Sequence, residues 1–178
     1  MQQIKKISAG SYDLNKFLYG GYESDIISTI YGPGGSGKTN FCMLAAVSCA
    51  RKGGKVIFID TEGGFSIDRF SQMHKGTQGE IDKSLENIML LKPTNFAEQE
   101  RNFETLLQEI RRTPISLIVI DSIAMLYRLE IGKNQNIYGV NKELGIQLAY
   151  LIEVARTKNI PILITNQVYA DMNNKEQV

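Results

Sequence analysis

The chain has 178 residues, which is enough for one domain with a sizeable core and too few for two comfortable ones. Hydrophobic residues make up 43% and charged residues 22%, and no run reaches the roughly 18 apolar residues of a membrane span, so we expect no membrane partner. The net charge of +1 excludes a global basic field for nucleic acid, so any DNA contact must be local. The first seven residues lack the apolar core of a secretory signal, and we expect a cytoplasmic protein.

The two cysteines and the single histidine give no basis for a disulfide or a Cys/His metal site. Cys42 and Cys49 lie on one face of a predicted helix, but two turns of helix put their Cα atoms about 10 Å apart, too far for a disulfide bond. We expect both to be small buried side chains in a reducing compartment. His74 has no metal-binding neighbours in sequence and is predicted to be a surface residue.

In chain order, the first predicted elements are a short helix, a strand and a longer helix. Leu14, Phe17 and Leu18 follow helical spacing, and Gly20-Gly21 marks the turn after them. The alternating, β-branched run 26–31 predicts a strand, and the Leu-, Met- and Ala-rich run 40–50 predicts a helix that ends near residues 52–54.

A phosphate-binding motif joins that strand to that helix. The segment Gly32-Pro33-Gly34-Gly35-Ser36-Gly37-Lys38-Thr39 matches G-x-x-x-x-G-K-[ST] at every defined position. The glycines allow a tight turn whose N–H groups point at one anion, and the start of the next helix adds its dipole. Lys38 is expected to reach the β- and γ-phosphates of ATP, and the Thr39 hydroxyl is expected to bind Mg²⁺.

The rest of the chain alternates strands with helices. Asn95 is the predicted start of one helix, and a loop is expected between Arg128 and Gly139. A following helix ends at Asn159 and is expected to face Val140, Leu144, Leu148, Leu151, Ile152 and Ala155 inward. The predicted strands cover 55–60, 88–92, 117–121 and 160–166, and the first of the two helices covers 95–112.

Apolar strands that alternate with helices predict an α/β fold with a mainly parallel sheet and helices on both faces, as in P-loop NTPase cores. Ligands of such sheets bind at the carboxyl ends of the strands. Asp121 follows four apolar residues, the Walker B pattern, and is predicted to hold Mg²⁺ or its water. Glu62 and Gln167 also follow strands; from spacing alone, a solvated loop acid and a polar strand boundary are the simpler interpretations.

Four segments in the same order resemble the RecA/RadA recombinase ATPase core: the phosphate loop, Ile59-Asp60-Thr61-Glu62-Gly63-Gly64-Phe65, the strand ending in Asp121-Ser122, and Ile164-Thr165-Asn166-Gln167-Val168. The match covers nearly the whole chain. Within the family, the chain is most similar to the short archaeal paralogues of RadA, because it begins at the core. The resemblance implies one RecA-like ATPase core over residues 1–178, and it suggests that the chain ends within a second DNA-binding loop.

The resemblance also assigns roles to single residues. It implies that Glu62 is the catalytic glutamate, that Gln167 senses the γ-phosphate and that Arg69 packs on adenine. Residues 127–133 match the start of the first DNA-binding loop, where the family has Gly-Arg-Gly and this chain has Gly132-Lys133-Asn134. Arg128 and Lys133 are the cations expected to contact DNA there.

By resemblance, the function expected is that of a weak ATPase that binds DNA and modulates homologous recombination and repair without strand exchange. A RadA-type recombinase and a Holliday junction resolvase are the implied partners. Three alternatives stay open: a strand-exchange recombinase, a KaiC-like regulatory ATPase without a DNA function, and a nucleotide-gated adaptor with negligible catalysis.

Overall fold

The computed structural model describes residues 5–133 and 136–169 of the chain. Two predictions therefore fall outside the described residues: the part of the first DNA-binding loop at residues 134–135, and the second DNA-binding loop in which residues 170–178 are expected to end. The strands are β1 (Lys6–Ile7), β2 (Tyr22–Glu23), β3 (Ile27–Gly32), β4 (Lys55–Asp60), β5 (Ile88–Leu91), β6 (Ile115–Asp121) and β7 (Ile162–Gln167). The helices are α1 (Tyr12–Phe17), α2 (Lys38–Arg51), α3 (Ile67–His74), α4 (Gln78–Leu85), α5 (Phe96–Arg112), α6 (Met125–Ile131) and α7 (Ile137–Lys158).

Five strands form one parallel sheet in the order β3-β7-β6-β4-β5, while β1 and β2 pair as a separate small antiparallel ribbon. Strand β3 precedes the phosphate loop and strand β6 carries Asp121, and only β7 lies between them. All five carboxyl ends lie at the same edge of the sheet because the strands are parallel. The predicted α/β fold is confirmed, and its strand order decides which polar residues meet.

The sheet is covered on both faces, as the alternation of its strand residues requires. Val56 and Phe58 of β4 belong to an apolar cluster that includes Met43 of α2 and Phe70 of α3. Ile57 and Ile59 face the other way, into a cluster with residues of α5 and α7 such as Leu106 and Leu151. A small third cluster of Phe96, Leu126 and Val140 packs α6 against α5 and α7.

Several predicted elements are confirmed closely. Asn95 caps α5, with its side chain accepting a hydrogen bond from the Glu98 N–H, and the helix runs to Arg112. Asn159 ends α7 in the left-handed conformation. Cys42 and Cys49 are both free thiols; Cys42 is buried as expected, whereas Cys49 is only half-buried.

Other expectations were wrong. The predicted loop from Arg128 to Gly139 is helical at its start, because α6 continues to Ile131, and helical again from Ile137. Ile152 is 44% exposed, since the buried stripe of α7 passes through Leu151, Val154 and Ala155 and Ile152 lies to one side of it.

Sequence reasoning assigned no helix between residues 61 and 87, where the structure has α3 and α4. Both helices have only eight residues, too few to be stable without packing. The capping box of Thr77 and Glu80 was the available signal for α4. His74 ends α3 and is 2% exposed rather than on the surface, because its Nε2 is hydrogen-bonded to the Ser84 hydroxyl at 2.9 Å.

None of the helices in the described part of the chain combines the length and the apolar character that crossing a bilayer requires.

Candidate functional site at the carboxyl edge of the sheet

The phosphate loop lies between β3 and α2, beside the end of β7. Gly32, the last residue of β3, is paired with Gln167, the last residue of β7. A Cβ atom on Gly34 would lie 2.9 Å from the Gln167 Nε2, so any larger residue there would require the Gln167 side chain to shift. Gly37 caps α2 with a φ of 87°, a conformation that side chains rarely adopt. These contacts fix the loop in contact with Gln167.

Lys38 is folded over the loop rather than extended into water. Its Nζ donates hydrogen bonds to the carbonyl oxygens of Gly32 at 3.1 Å and Pro33 at 2.9 Å, and the residue is 8% exposed. The ammonium group is therefore held by two neutral acceptors in the loop's own backbone. Lys38 still lines the cavity described below, so a more strongly charged acceptor can compete for it.

Asp121 ends β6 as a buried carboxylate that is only partly satisfied. Its Oδ1 accepts a hydrogen bond from the Thr165 hydroxyl of β7, whereas its Oδ2 is buried without a partner. Burial raises the pKa of Asp121, and the nearby carboxylates of Glu62 and Asp60 raise it further, against the opposing effect of the Thr165 and Thr39 hydroxyls. An unpaired acceptor in such surroundings fits a bound cation.

Glu62 lies on a turn that the Asp60 side chain stabilises. The two carboxylate oxygens of Asp60 accept hydrogen bonds from the Gly64 N–H at 3.0 Å and the Phe65 N–H at 2.9 Å. Phe65 is buried against Phe58 with ring centroids 5.1 Å apart, which anchors the end of the turn in the core. Glu62 itself is exposed at the tip.

A second bridge ties this turn to the end of β6. The Thr61 hydroxyl donates to the Ser122 carbonyl at 2.9 Å and accepts from the Ser122 N–H at 2.8 Å. The Asp121–Ser122 peptide bond is cis. The adjoining ends of β4 and β6 are therefore held together by side chains as well as by the sheet.

The phosphate loop, the Glu62 turn and the end of β7 line one open cavity of about 280 Å³. Arg69 of α3 completes it, and its Nη1 donates to the Asn40 Oδ1 at 3.3 Å. Asn40 was missed by sequence reasoning, although it directly follows Thr39. The lining residues are Gly34, Gly35, Gly37, Lys38, Thr39, Asn40, Glu62, Arg69 and Gln167.

The remaining predicted residues lie around this cavity or farther away. Gly32 is buried beneath the loop, while Pro33 and Ser36 are exposed on it. Arg128 lies on α6 and contacts the end of β7, where its Nη1 donates to the Gln167 carbonyl at 2.7 Å. Lys133 is exposed just beyond α6, apart from the cavity.

A larger cavity of about 490 Å³ lies at the opposite edge of the sheet, next to the starts of β6 and β7. Its lysines include Lys52 and Lys158, which stand at the carboxyl ends of α2 and α7 and complement the helix dipoles there. We place the candidate site at the smaller cavity, because that one is lined by the phosphate motif and by Glu62.

Comparison with known proteins agrees with this arrangement. The Rad51 family model matches residues 1–178. The DNA repair and recombination protein RadB of Methanobrevibacter smithii is 38% identical over 169 residues, which are 93% of this chain and 70% of that protein. The proteins of the same name from Methanocaldococcus jannaschii and Methanococcoides burtonii are 42% and 37% identical, over 92% and 98% of this chain and 75% and 76% of theirs. The expected resemblance to the short archaeal paralogues is thereby confirmed, and the chain belongs to the Rad51 family, among relatives that are archaeal RadB proteins.

Proposed function

We propose that this chain is a Mg²⁺-dependent, weakly hydrolysing ATPase that binds DNA and modulates homologous recombination and repair without catalysing strand exchange. The observation that carries the proposal is the meeting of Lys38, Glu62, Arg69 and Gln167 around one cavity, beside the buried, unpaired oxygen of Asp121. The names of the relatives, DNA repair and recombination proteins, support the DNA function.

Nucleotide binding follows from the donors of the loop. Its backbone N–H groups and the start of α2 would hold the phosphates, and Lys38 would exchange its two carbonyl acceptors for phosphate oxygens. The flat guanidinium of Arg69, which is exposed at the rim, suits packing against the adenine ring.

The residues fit Mg²⁺ with one carboxylate and one hydroxyl. Thr39 and Asp121 would hold the ion, directly or through water, and the unpaired Asp121 Oδ2 would gain a partner. In the described part of the chain, no group of three or more His, Cys, Asp or Glu side chains could hold a metal by itself. This suits Mg²⁺, which proteins commonly bind with few side chains and the phosphates of a substrate. When bound, the ion would neutralise charge on the β- and γ-phosphates.

For hydrolysis, Glu62 would accept a proton from the attacking water, and the Gln167 amide would orient the γ-phosphate or that water. The Asp60 contacts and the Thr61–Ser122 bridge keep the Glu62 turn in place. Glu62 is exposed on this turn, and the weak rate is proposed from the family resemblance.

For DNA, the exposed end of α6 with Lys133 is the proposed contact, in a chain with little net charge to add. A RadA-type recombinase and a Holliday junction resolvase are proposed as protein partners on the strength of the family resemblance alone.

The test combines nucleotide binding with hydrolysis. A fluorescent ATP analogue is titrated in Mg²⁺ and in EDTA, and ATP turnover is measured with no DNA, single-stranded DNA and duplex DNA. We expect Mg²⁺-dependent binding and slow turnover that DNA changes. Binding that is unaffected by EDTA would remove the Thr39–Asp121 ion site, and an absence of any DNA effect would favour a KaiC-like ATPase.

A further inference from the structure

Arg128 is committed to protein contacts that sequence reasoning did not foresee. Its Nη1 donates to the Gln167 carbonyl at 2.7 Å, and its Nη2 donates to the Asn166 Oδ1 at 3.1 Å. The guanidinium also lies over the ring of Tyr169, 5.2 Å from the centroid. All three partners belong to the end of β7 or follow it directly.

Those partners connect Arg128 to the phosphate loop. The Gln167 side chain touches the loop at Gly34, and the next residue, Val168, donates from its N–H to the Gly32 carbonyl at 3.2 Å. The end of β7 is thus fixed to the loop on one side and to α6 on the other. Of Arg128 and the three residues that it contacts, Gln167 is the one that also lines the cavity.

A DNA phosphate would have to compete for a guanidinium that already has two acceptors and an aromatic ring. A cation free to bind phosphate is instead available at Lys133, five residues further along the same segment, which makes no such contact with the described residues. Arg128 thus makes two hydrogen bonds from one planar guanidinium to the end of β7, an arrangement that fixes its geometry.

We propose that Arg128 is a positioning residue for Gln167 and that it couples the nucleotide site to α6 and the segment that follows it. This inference rests on the proposed function, because it assigns to Gln167 a contact with the γ-phosphate. A γ-phosphate that binds the Gln167 side chain would also pull on the Gln167 backbone, whose carbonyl accepts a hydrogen bond from Arg128. Coupling of this kind is reciprocal. If ATP in place of ADP changes the affinity for DNA bound beyond α6 by some factor, that DNA changes the preference for ATP over ADP by the same factor.

The experiment compares the affinities for a non-hydrolysable ATP analogue and for ADP, both with Mg²⁺, in the wild type and in Arg128→Ala. We expect the ratio of the two affinities to move toward ADP by about three- to tenfold, the order expected for loss of hydrogen bonds from a charged group at a surface. The ADP affinity itself should stay within about twofold, because Arg128 does not line the cavity. Arg111→Ala removes an exposed arginine from the far end of α5 and is the matched control, with no expected change.

Arg128→Lys separates positioning from charge. A lysine keeps the positive charge that a DNA phosphate would recognise but cannot form the two-pronged contact. We therefore expect Arg128→Lys to lose nucleotide discrimination nearly as fully as Arg128→Ala. In a Gln167→Ala background, Arg128→Ala should have no further effect on the ratio, because both changes remove the same contact.

Four outcomes overturn the inference. An unchanged ratio in Arg128→Ala, with wild-type binding intact, removes the inference and leaves the proposed function standing. Equal losses for both nucleotides indicate a structural role, and full recovery by Arg128→Lys indicates a charge contact. If the wild type binds neither nucleotide, the proposed function fails first and the inference with it.

Discussion

The carboxyl edge of the sheet and the α6–α7 segment, by which we mean residues 125–133, both carry polar side chains, but they are held in different ways. At the edge, Asp60 and Asp121 are fixed by strand pairing and by hydrogen bonds from buried neighbours. The α6–α7 segment is attached by the small cluster around Leu126, by the Arg128 contacts and by a hydrogen bond from the Tyr127 hydroxyl to the Asn141 Oδ1 at 2.7 Å. In the proposed function, the chemistry therefore belongs to the more firmly held edge, and binding belongs to the segment.

The largest expected effect is at Lys38, the lysine that lines the cavity at this edge. Lys38→Ala should weaken ATP binding by roughly 10²–10⁴-fold, because two charge-assisted hydrogen bonds to phosphate are lost. The measurement is titration with a fluorescent ATP analogue, with Lys92→Ala as the control, since Lys92 is exposed and outside the cavity. An unchanged affinity would show that the phosphate-loop assignment is wrong.

Glu62→Gln should separate chemistry from binding at the same edge. The amide keeps the size of the side chain and loses the base, so single-turnover hydrolysis should fall by about 10²-fold while analogue binding is kept. Glu86→Gln changes another exposed glutamate away from the cavity and should alter neither quantity. Equal losses of binding and turnover would instead give Glu62 a structural role.

Asp121→Asn should stabilise the protein without ligand, and it should abolish the tightening of nucleotide binding by Mg²⁺. The raised pKa means that the folded protein holds this proton more tightly than the unfolded chain does, so stability is lost as pH rises from the ordinary carboxyl pKa through the raised one. At neutral pH we expect a gain of about 0.5–2 kcal/mol in the free energy of unfolding. Thermal unfolding of the wild type and the variant from pH 4 to 8, with and without Mg²⁺, measures this gain in stability. An unchanged pH dependence in the variant would contradict the origin of the shift.

The smallest expected effect belongs to the α6–α7 segment. Lys133→Ala should lower the affinity for all DNA sequences alike and reduce the slope of log affinity against log salt by about one, the value for one phosphate contact. Binding to duplex DNA at several salt concentrations tests this, and ATP binding, measured in parallel, should not change. If DNA affinity and slope stay the same, the DNA contact lies elsewhere on the protein.

The local patterns of the sequence predicted the fold and most of the edge. The phosphate loop, the cap at Asn95 and the acid at the end of β6 each depend on a few neighbouring residues, so they can be identified without knowing what packs against them. The roles assigned to Glu62 and Gln167 came from family resemblance and remain predictions, although both side chains line the cavity with Lys38.

The sequence by itself determined the alternation of strands and helices, because backbone propensity and apolar spacing act over a few residues. Only the tertiary structure decided the surroundings of single polar side chains. His74 is buried because Ser84, ten residues away, meets it when α3 and α4 pack. Arg128 contacts Gln167, thirty-nine residues away, only because β7 lies between β3 and β6 in the sheet. Such contacts follow from strand order, which no short stretch of sequence contains.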